Sequence, residues 1–160
     1  MINYNSLRSL LAEAKWREAD GETLRLMRKI AGKDERACLD IQSLEKFPCD
    51  DLRIIDQLWM THSNKNYGFS KQKQIYQNLG GSLEYNENIW KIFGDTMGWR
   101  RSGKWLEYNQ CRDAEFPFAL FCQLHIDIEG WDILQEWSCE GRQSAMLFST
   151  LVSRLKDCGL

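Results

Sequence analysis

Two histidines, His62 and His125, are the whole imidazole complement of this 160-residue chain. Neither stands in a G-x-S-x-G elbow or a cysteine–histidine setting, so nucleophilic catalysis lacks its base–nucleophile pair. His62 follows Trp59 on an apolar helical face, where a partly buried, hydrogen-bonded imidazole is the usual case. The six cysteines, Cys38, Cys49, Cys111, Cys122, Cys139 and Cys158, are scattered singly with no C-x-x-C pair, which disfavours zinc ribbons and dithiol motifs. They read as small hydrophobic thiols in a reducing compartment. Asp50 and Asp51 suit a helix N-terminus better than acid–base work, and no glycine-rich phosphate cradle is present. We therefore expect no enzyme and no metal site. Binding has better material: seven tryptophans can grip a flat apolar ligand, and arginine at the lip of such a site pairs bidentately with carboxylates.

Those side chains need a frame, and 160 residues are enough for one domain, 1–160, with one core. Twenty-one basic against 23 acidic residues leave a net charge of -2, so no strong field draws the chain to nucleic acid. The longest uncharged apolar run, Phe116 to Ile126, falls short of the roughly 20 residues of a membrane span. The N-terminus enters helical pattern at once without a leader-like stretch, so the expectation is a soluble protein made where it works.

The central stretch is Phe47 to Tyr76. Pro48 stops what precedes it, and Asp50 or Asp51 can cap a helix carrying Leu52, Ile55 and Trp59 on one face. Arg53, Asp56 and Gln57 form its polar edge. An elbow, Asn64 to Ser70, follows, with Ser70 as cap for a helix that Gly80-Gly81 end. Before this stretch, Leu7, Leu10, Leu11 and Ala14 mark one helix. Trp16, Ala19, Thr23, Leu26, Met27 and Ile30 mark a second, with no unusual polar residue expected on its apolar face. A short helix is expected over 38–46. After the centre, Asn86 caps a helix with Ile89, Trp90 and Phe93, and 99–108 reads as a small hairpin or aromatic-anchored loop. Phe116 to Ile128 leaves helix and buried strand both open, as core or as a greasy cover over a ligand. Leu147, Leu151 and Leu155 mark the last helix.

The segments WREAD with Thr23, FPCDDLRIIDQLW, SNKNYGFSKQKQIY, IWKIFGDTMGWRRSGKW and SRLKDC together resemble the genomes-uncoupled-four family. Its members are porphyrin-binding regulators of magnesium chelatase in chlorophyll synthesis. The resemblance implies an all-α, compact multi-helix domain with a cupped ligand-binding face, holding protoporphyrin IX or Mg-protoporphyrin IX. It implies the large subunit of magnesium chelatase as partner, and a cytoplasmic or plastid-stromal location. Carried over to this chain, it places Arg53 and Arg154 on the ligand's propionates, and Trp59, Phe69, Gln72 and Trp99 at the macrocycle. Asn66 and Lys71 depart from the family's elbow. Around Pro117, Phe118-Ala119-Leu120-Phe121 replaces a polar proline–glycine–histidine–leucine–proline loop, so Phe116, Phe118, Leu120 and Phe121 form a candidate lid. The rewritten segment keeps an alternative open, a diverged paralogue that reads a protein partner or a linear bilin.

Overall fold

The computed structural model describes residues 2–35, 37–111, 115–121 and 139–160. These form a mostly helical domain: α1 (Asn5–Ala12), α2 (Trp16–Ile30), α3 (Ile41–Glu45), α4 (Cys49–His62), α5 (Phe69–Asn78), α6 (Glu87–Met97) and α7 (Gly141–Asp157). A two-stranded antiparallel hairpin, β1 (Arg100–Arg101) and β2 (Lys104–Trp105), pairs Arg100 with Trp105 across Ser102-Gly103. A short 3-10 turn follows at Tyr108–Gln110. Residues 122–128 of the long apolar run, His125 among them, lie outside the described residues.

Side-chain caps set the starts of α3 and α6, whereas α4 begins after Pro48 with no side-chain cap, so Asp50 and Asp51 lie in its first turn rather than capping it as expected. The helix expected over 38–46 is confined to Ile41–Glu45, because the Asp40 side chain accepts from the Ser43 N–H at 2.8 Å and starts the helix there. Asn86 caps α6 in the same way, accepting from the Ile89 N–H at 3.1 Å. The cap of α5 differs from the expected Ser70. Its Ser70 N–H donates at 2.9 Å to Asp56, one helix back. Asp56 is therefore a buried residue rather than part of a polar edge, and burial raises its carboxyl above the ordinary range. Gly68 occupies the elbow at φ 141°, where an added Cβ would meet Met60 and Asp56 at 3.0–3.1 Å.

The second helix also departs from expectation. Asp20, Thr23 and Arg28 are buried on it. Asp20 lies at i+4 from Trp16 and i−3 from Thr23, which puts it on the apolar stripe itself.

The thiol reading is corrected as well. Cys49 and Cys158 form a disulfide across 109 residues of sequence, and Cys139 is disulfide-bonded too, while Cys111 stays a buried thiol pushed up to about 11 by burial. Sequence spacing missed the bridge because its partners meet only when the start of α4 reaches the end of α7. Closing so long a loop restricts the unfolded chain by on the order of 4–5 kcal/mol.

The core is a continuous cluster of rings. Tyr76 contacts Phe93 at 5.2 Å and Phe148 at 5.1 Å, and Trp90 joins them from α6. The Tyr76 hydroxyl donates to the Ser82 carbonyl at 3.1 Å, which fixes the ring against Gly81. A Cβ on Gly81 would lie 2.4 Å from that ring. Gly81→Ala is thus expected to cost about 1–3 kcal/mol by overpacking, read as a lower urea midpoint. A variant as stable as the wild type would show that Tyr76 yields freely.

Candidate functional site

The chain segment Glu115 to Phe121 is almost wholly buried, and hydrogen bonds from three helices or their flanks, α2, α5 and α6, hold it. From α2, the Asp20 carboxylate accepts from the Phe118 N–H at 3.0 Å, the Ala119 N–H at 3.0 Å and the Tyr108 hydroxyl at 2.9 Å. Arg17, one turn earlier, donates to the carbonyls of Tyr108 at 2.7 Å and Cys111 at 2.9 Å and lies over the Tyr108 ring. From α5, Gln72 Nε2 donates to the Pro117 carbonyl at 2.8 Å and the Glu115 carbonyl at 3.2 Å. The Gly68 N–H donates to Phe116, and Glu115 N–H to Met97 at the end of α6. A buried carboxylate facing three donors is stabilised by them and opposed by desolvation. Here burial is the larger effect, and the Asp20 carboxyl is pushed up to about 7. Burial raises the Tyr108 hydroxyl as well, with Asp20 beside it adding to the effect.

The side chains of this segment fill the space between the tryptophans. Phe116 stacks on Trp59 at 6.1 Å and Phe118 on Trp99 at 5.5 Å, while Phe121 packs on Trp99 at 5.9 Å and on Phe69 at 6.4 Å. The fold brings Trp59, Phe69, Gln72 and Trp99 around the chain's own Phe116, Phe118, Leu120 and Phe121, all eight of them buried. Trp59 donates its indole N–H to Thr23 at 2.9 Å and Trp99 to the Glu115 carbonyl at 3.3 Å, so both polar handles are satisfied internally. A macrocycle reaches these rings only after the 116–121 segment moves aside. Two acceptors mark the weak point of its seating. Gln72 Oε1 and Glu115 Oε2 are buried with no hydrogen-bond donor among the described residues, a cost of about 1–3 kcal/mol for each such group.

Arg53 and Arg154 stand elsewhere, at the junction of α4 with α7. Arg53 donates through Nε at 3.1 Å and Nη2 at 2.7 Å to the Cys158 carbonyl, and through Nη1 to Asp50 at 2.8 Å. Arg154 Nε donates to the Phe47 carbonyl at 2.8 Å. Both guanidinium groups are thus engaged by backbone. A groove of about 340 Å³ is lined by Ile30, Ala31, Lys33, Gln42, Ser43, Lys46, Phe47 and Pro48, with none of Trp59, Phe69, Gln72 or Trp99 among them. Its Lys33 is held by Asp40 at 2.8 Å, which keeps that carboxyl well below the usual range. Among the described residues, no group of three potential ligands is placed to hold a metal ion, and no helix is long and apolar enough to cross a membrane.

Sequence reasoning missed Arg17, Asp20 and Asp56 as organisers of this centre. The signal was available: Asp20 falls between Trp16 and Leu24 on α2, and Asp56 between Leu52 and Trp59 on α4, each on its helix's apolar stripe, where a solvated charge has no place.

These features define a class: a mostly helical domain with an aromatic centre closed by one polar-anchored segment, and two helix ends joined by arginines and a disulfide. The chain belongs to the GUN4-like family, whose model matches residues 1–120. It is 35% identical over 100 residues to an uncharacterized ycf53 protein of Porphyra purpurea, covering 61% of this chain and 39% of that one. A Ycf53-like protein of Synechocystis is 31% identical over 109 residues, 67% of this chain and 44% of the relative. A chloroplastic tetrapyrrole-binding protein of Arabidopsis thaliana is 32% identical over 75 residues, 46% of this chain and 28% of the relative. The matched stretches thus span less than half the length of these relatives.

Proposed function

We propose that this protein is a non-enzymatic tetrapyrrole binder that takes protoporphyrin IX or Mg-protoporphyrin IX and regulates magnesium chelatase by engaging its large subunit. The observation that carries this reading is the family match over 1–120, which contains Arg53, Trp59, Phe69, Gln72 and Trp99. The name of the Arabidopsis relative points to the same ligand class. In this reading the macrocycle takes the place of Phe116, Phe118, Leu120 and Phe121 against Trp59, Phe69, Gln72 and Trp99. Arg53 and Arg154 meet the propionates, and the site of action is a cyanobacterium-like cytoplasm or a plastid stroma.

Titration with protoporphyrin IX should quench tryptophan fluorescence strongly, since the site would be lined by indoles. Absence of quenching at tens of micromolar would reject the reading. In a protein that does bind, Arg53→Ala should weaken affinity by about 1–3 kcal/mol if Arg53 meets a propionate. Unchanged affinity in the folded variant removes Arg53 from the site.

One observation favours a second reading: the rings around Trp59 and Trp99 are in mutual contact through the chain's own phenylalanines. A diverged paralogue that keeps the scaffold and reads a protein partner or a linear bilin would have this closed centre. Capture of signalling proteins without any chelatase subunit, together with an inert porphyrin titration, would establish it.

A further inference from the structure

Each cysteine of the long-range bridge has an arginine one helical turn away on the same face: Cys49 and Arg53 on α4, Arg154 and Cys158 at the end of α7. Each arginine then crosses to the other helix's end. Arg53 grips the Cys158 carbonyl with two donors, and Arg154 grips the carbonyl of Phe47, two residues before Cys49. Bridge and crossed arginines form one knot, and among the described residues Arg53 donates only to the Cys158 carbonyl and the exposed Asp50. Cys158 is buried while Cys49 is partly exposed, so an attacking thiolate reaches Cys49 first.

We infer that the Cys49–Cys158 disulfide is a redox switch that withholds Arg53 and Arg154 from an anionic ligand while oxidised and releases both when a dithiol reduces it. The chemistry balances. One thiolate of the reductant attacks Cys49 Sγ, the S–S bond breaks, and the Cys158 thiolate leaves and takes a proton from water. The second thiol of the reductant resolves the mixed disulfide and expels Cys49 as a thiolate, which the α4 N-terminus favours. The protein gains two electrons and one proton, at Cys158, with a second proton taken up only when the Cys49 thiolate is protonated, and the reductant gives up its two thiol protons and becomes a disulfide. With the bridge open, the last turn of α7 is no longer tied to α4, and the carbonyls of Cys158 and Phe47 no longer have to face the two guanidinium groups. Both arginines then become available to a dicarboxylate. This rests on the tetrapyrrole reading for the identity of that dicarboxylate, but the release of the arginines does not.

The test compares the oxidised full chain, the chain reduced by excess dithiothreitol, and the Cys49→Ser/Cys158→Ser variant, which leaves the bridge at Cys139 intact. All three are checked for native helical circular dichroism. Phenylglyoxal modification of Arg53 and Arg154, mapped by mass spectrometry, should run several-fold faster in the reduced and variant proteins, with Arg17 as an internal control that does not change. Protoporphyrin IX should bind them about tenfold more tightly than the oxidised chain, as for one charged hydrogen bond gained. Equal labelling rates, or global unfolding on reduction, overturn the switch and leave the bridge a plain staple. Faster labelling with equal porphyrin affinity overturns its control of ligand binding. Faster labelling with no porphyrin bound in any form sustains the release of the arginines and rejects the tetrapyrrole reading instead.

Discussion

Asp20→Ala should lose about 3–5 kcal/mol of stability, while Asp20→Asn keeps most of it at pH 8. Alanine leaves the Phe118 and Ala119 N–H groups and the Tyr108 hydroxyl without their buried acceptor. Asparagine still offers Oδ1 to the two backbone donors and turns its amide toward the Tyr108 oxygen. The pH dependence separates the two chemistries further. An acid raised from an ordinary 3.8 to about 7 binds its proton more tightly in the folded than in the unfolded chain. Its contribution is therefore fully present at low pH and is lost as pH rises from about 4 to 7. Over that window the loss is on the order of 4 kcal/mol. Asp56 and Glu115 are also raised by burial, so the informative quantity is the difference between wild type and Asp20→Asn. Urea unfolding at a series of pH values should show wild type falling relative to Asp20→Asn through that window and running parallel to it above. Parallel curves throughout would mean that Asp20 stays ionised and the three donors outweigh its burial. Because Asp20 is the main tie between α2 and the 116–121 segment, Asp20→Ala should also increase hydrogen exchange there.

The second large effect concerns Trp99. Truncation to alanine is expected to cost about 3–5 kcal/mol and replacement by phenylalanine about 1–2 kcal/mol. The indole is wholly buried, contacts Phe93 at 5.4 Å and Phe118 at 5.5 Å, and donates to the Glu115 carbonyl. Phenylalanine keeps most of the ring contact and loses that donor. Chemical denaturation decides between two environments for this residue. A side chain facing an open ligand hollow would cost under about 1 kcal/mol on truncation and show its loss mainly in porphyrin affinity. A small effect of Trp99→Ala would mean that the Phe116–Phe121 segment does not pack there in solution.

Much of this molecule was legible from residue order. The apolar faces of α2, α4 and α7, save for the buried Asp20, Arg28 and Asp56, the cap at Asn86, the turn at Ser102-Gly103 and the stop at Pro48 are local, set by periodicity and by which side chains satisfy a nearby backbone. The motifs that carry the family likeness were legible too, because they are contiguous text. Ser70 was misassigned for a related reason. A cap read locally takes the nearest hydroxyl, whereas the acceptor that serves α5 is Asp56, brought back by the elbow at Gly68.

Sequence alone thus determined the helical frame, the family and the set of aromatic and cationic groups from which a binding site could be made. Tertiary structure alone decided what those groups do. It put the phenylalanines of 116–121 between Trp59 and Trp99, turned Asp20 inward to hold them, and joined Cys49 to Cys158 with Arg53 and Arg154 crossed over the joint. The physical reason is range. Helical pattern and capping act over a turn or two of chain, whereas occupancy of a hollow, the partner of a buried acid and the pairing of thiols depend on which distant segments the packed core brings into contact.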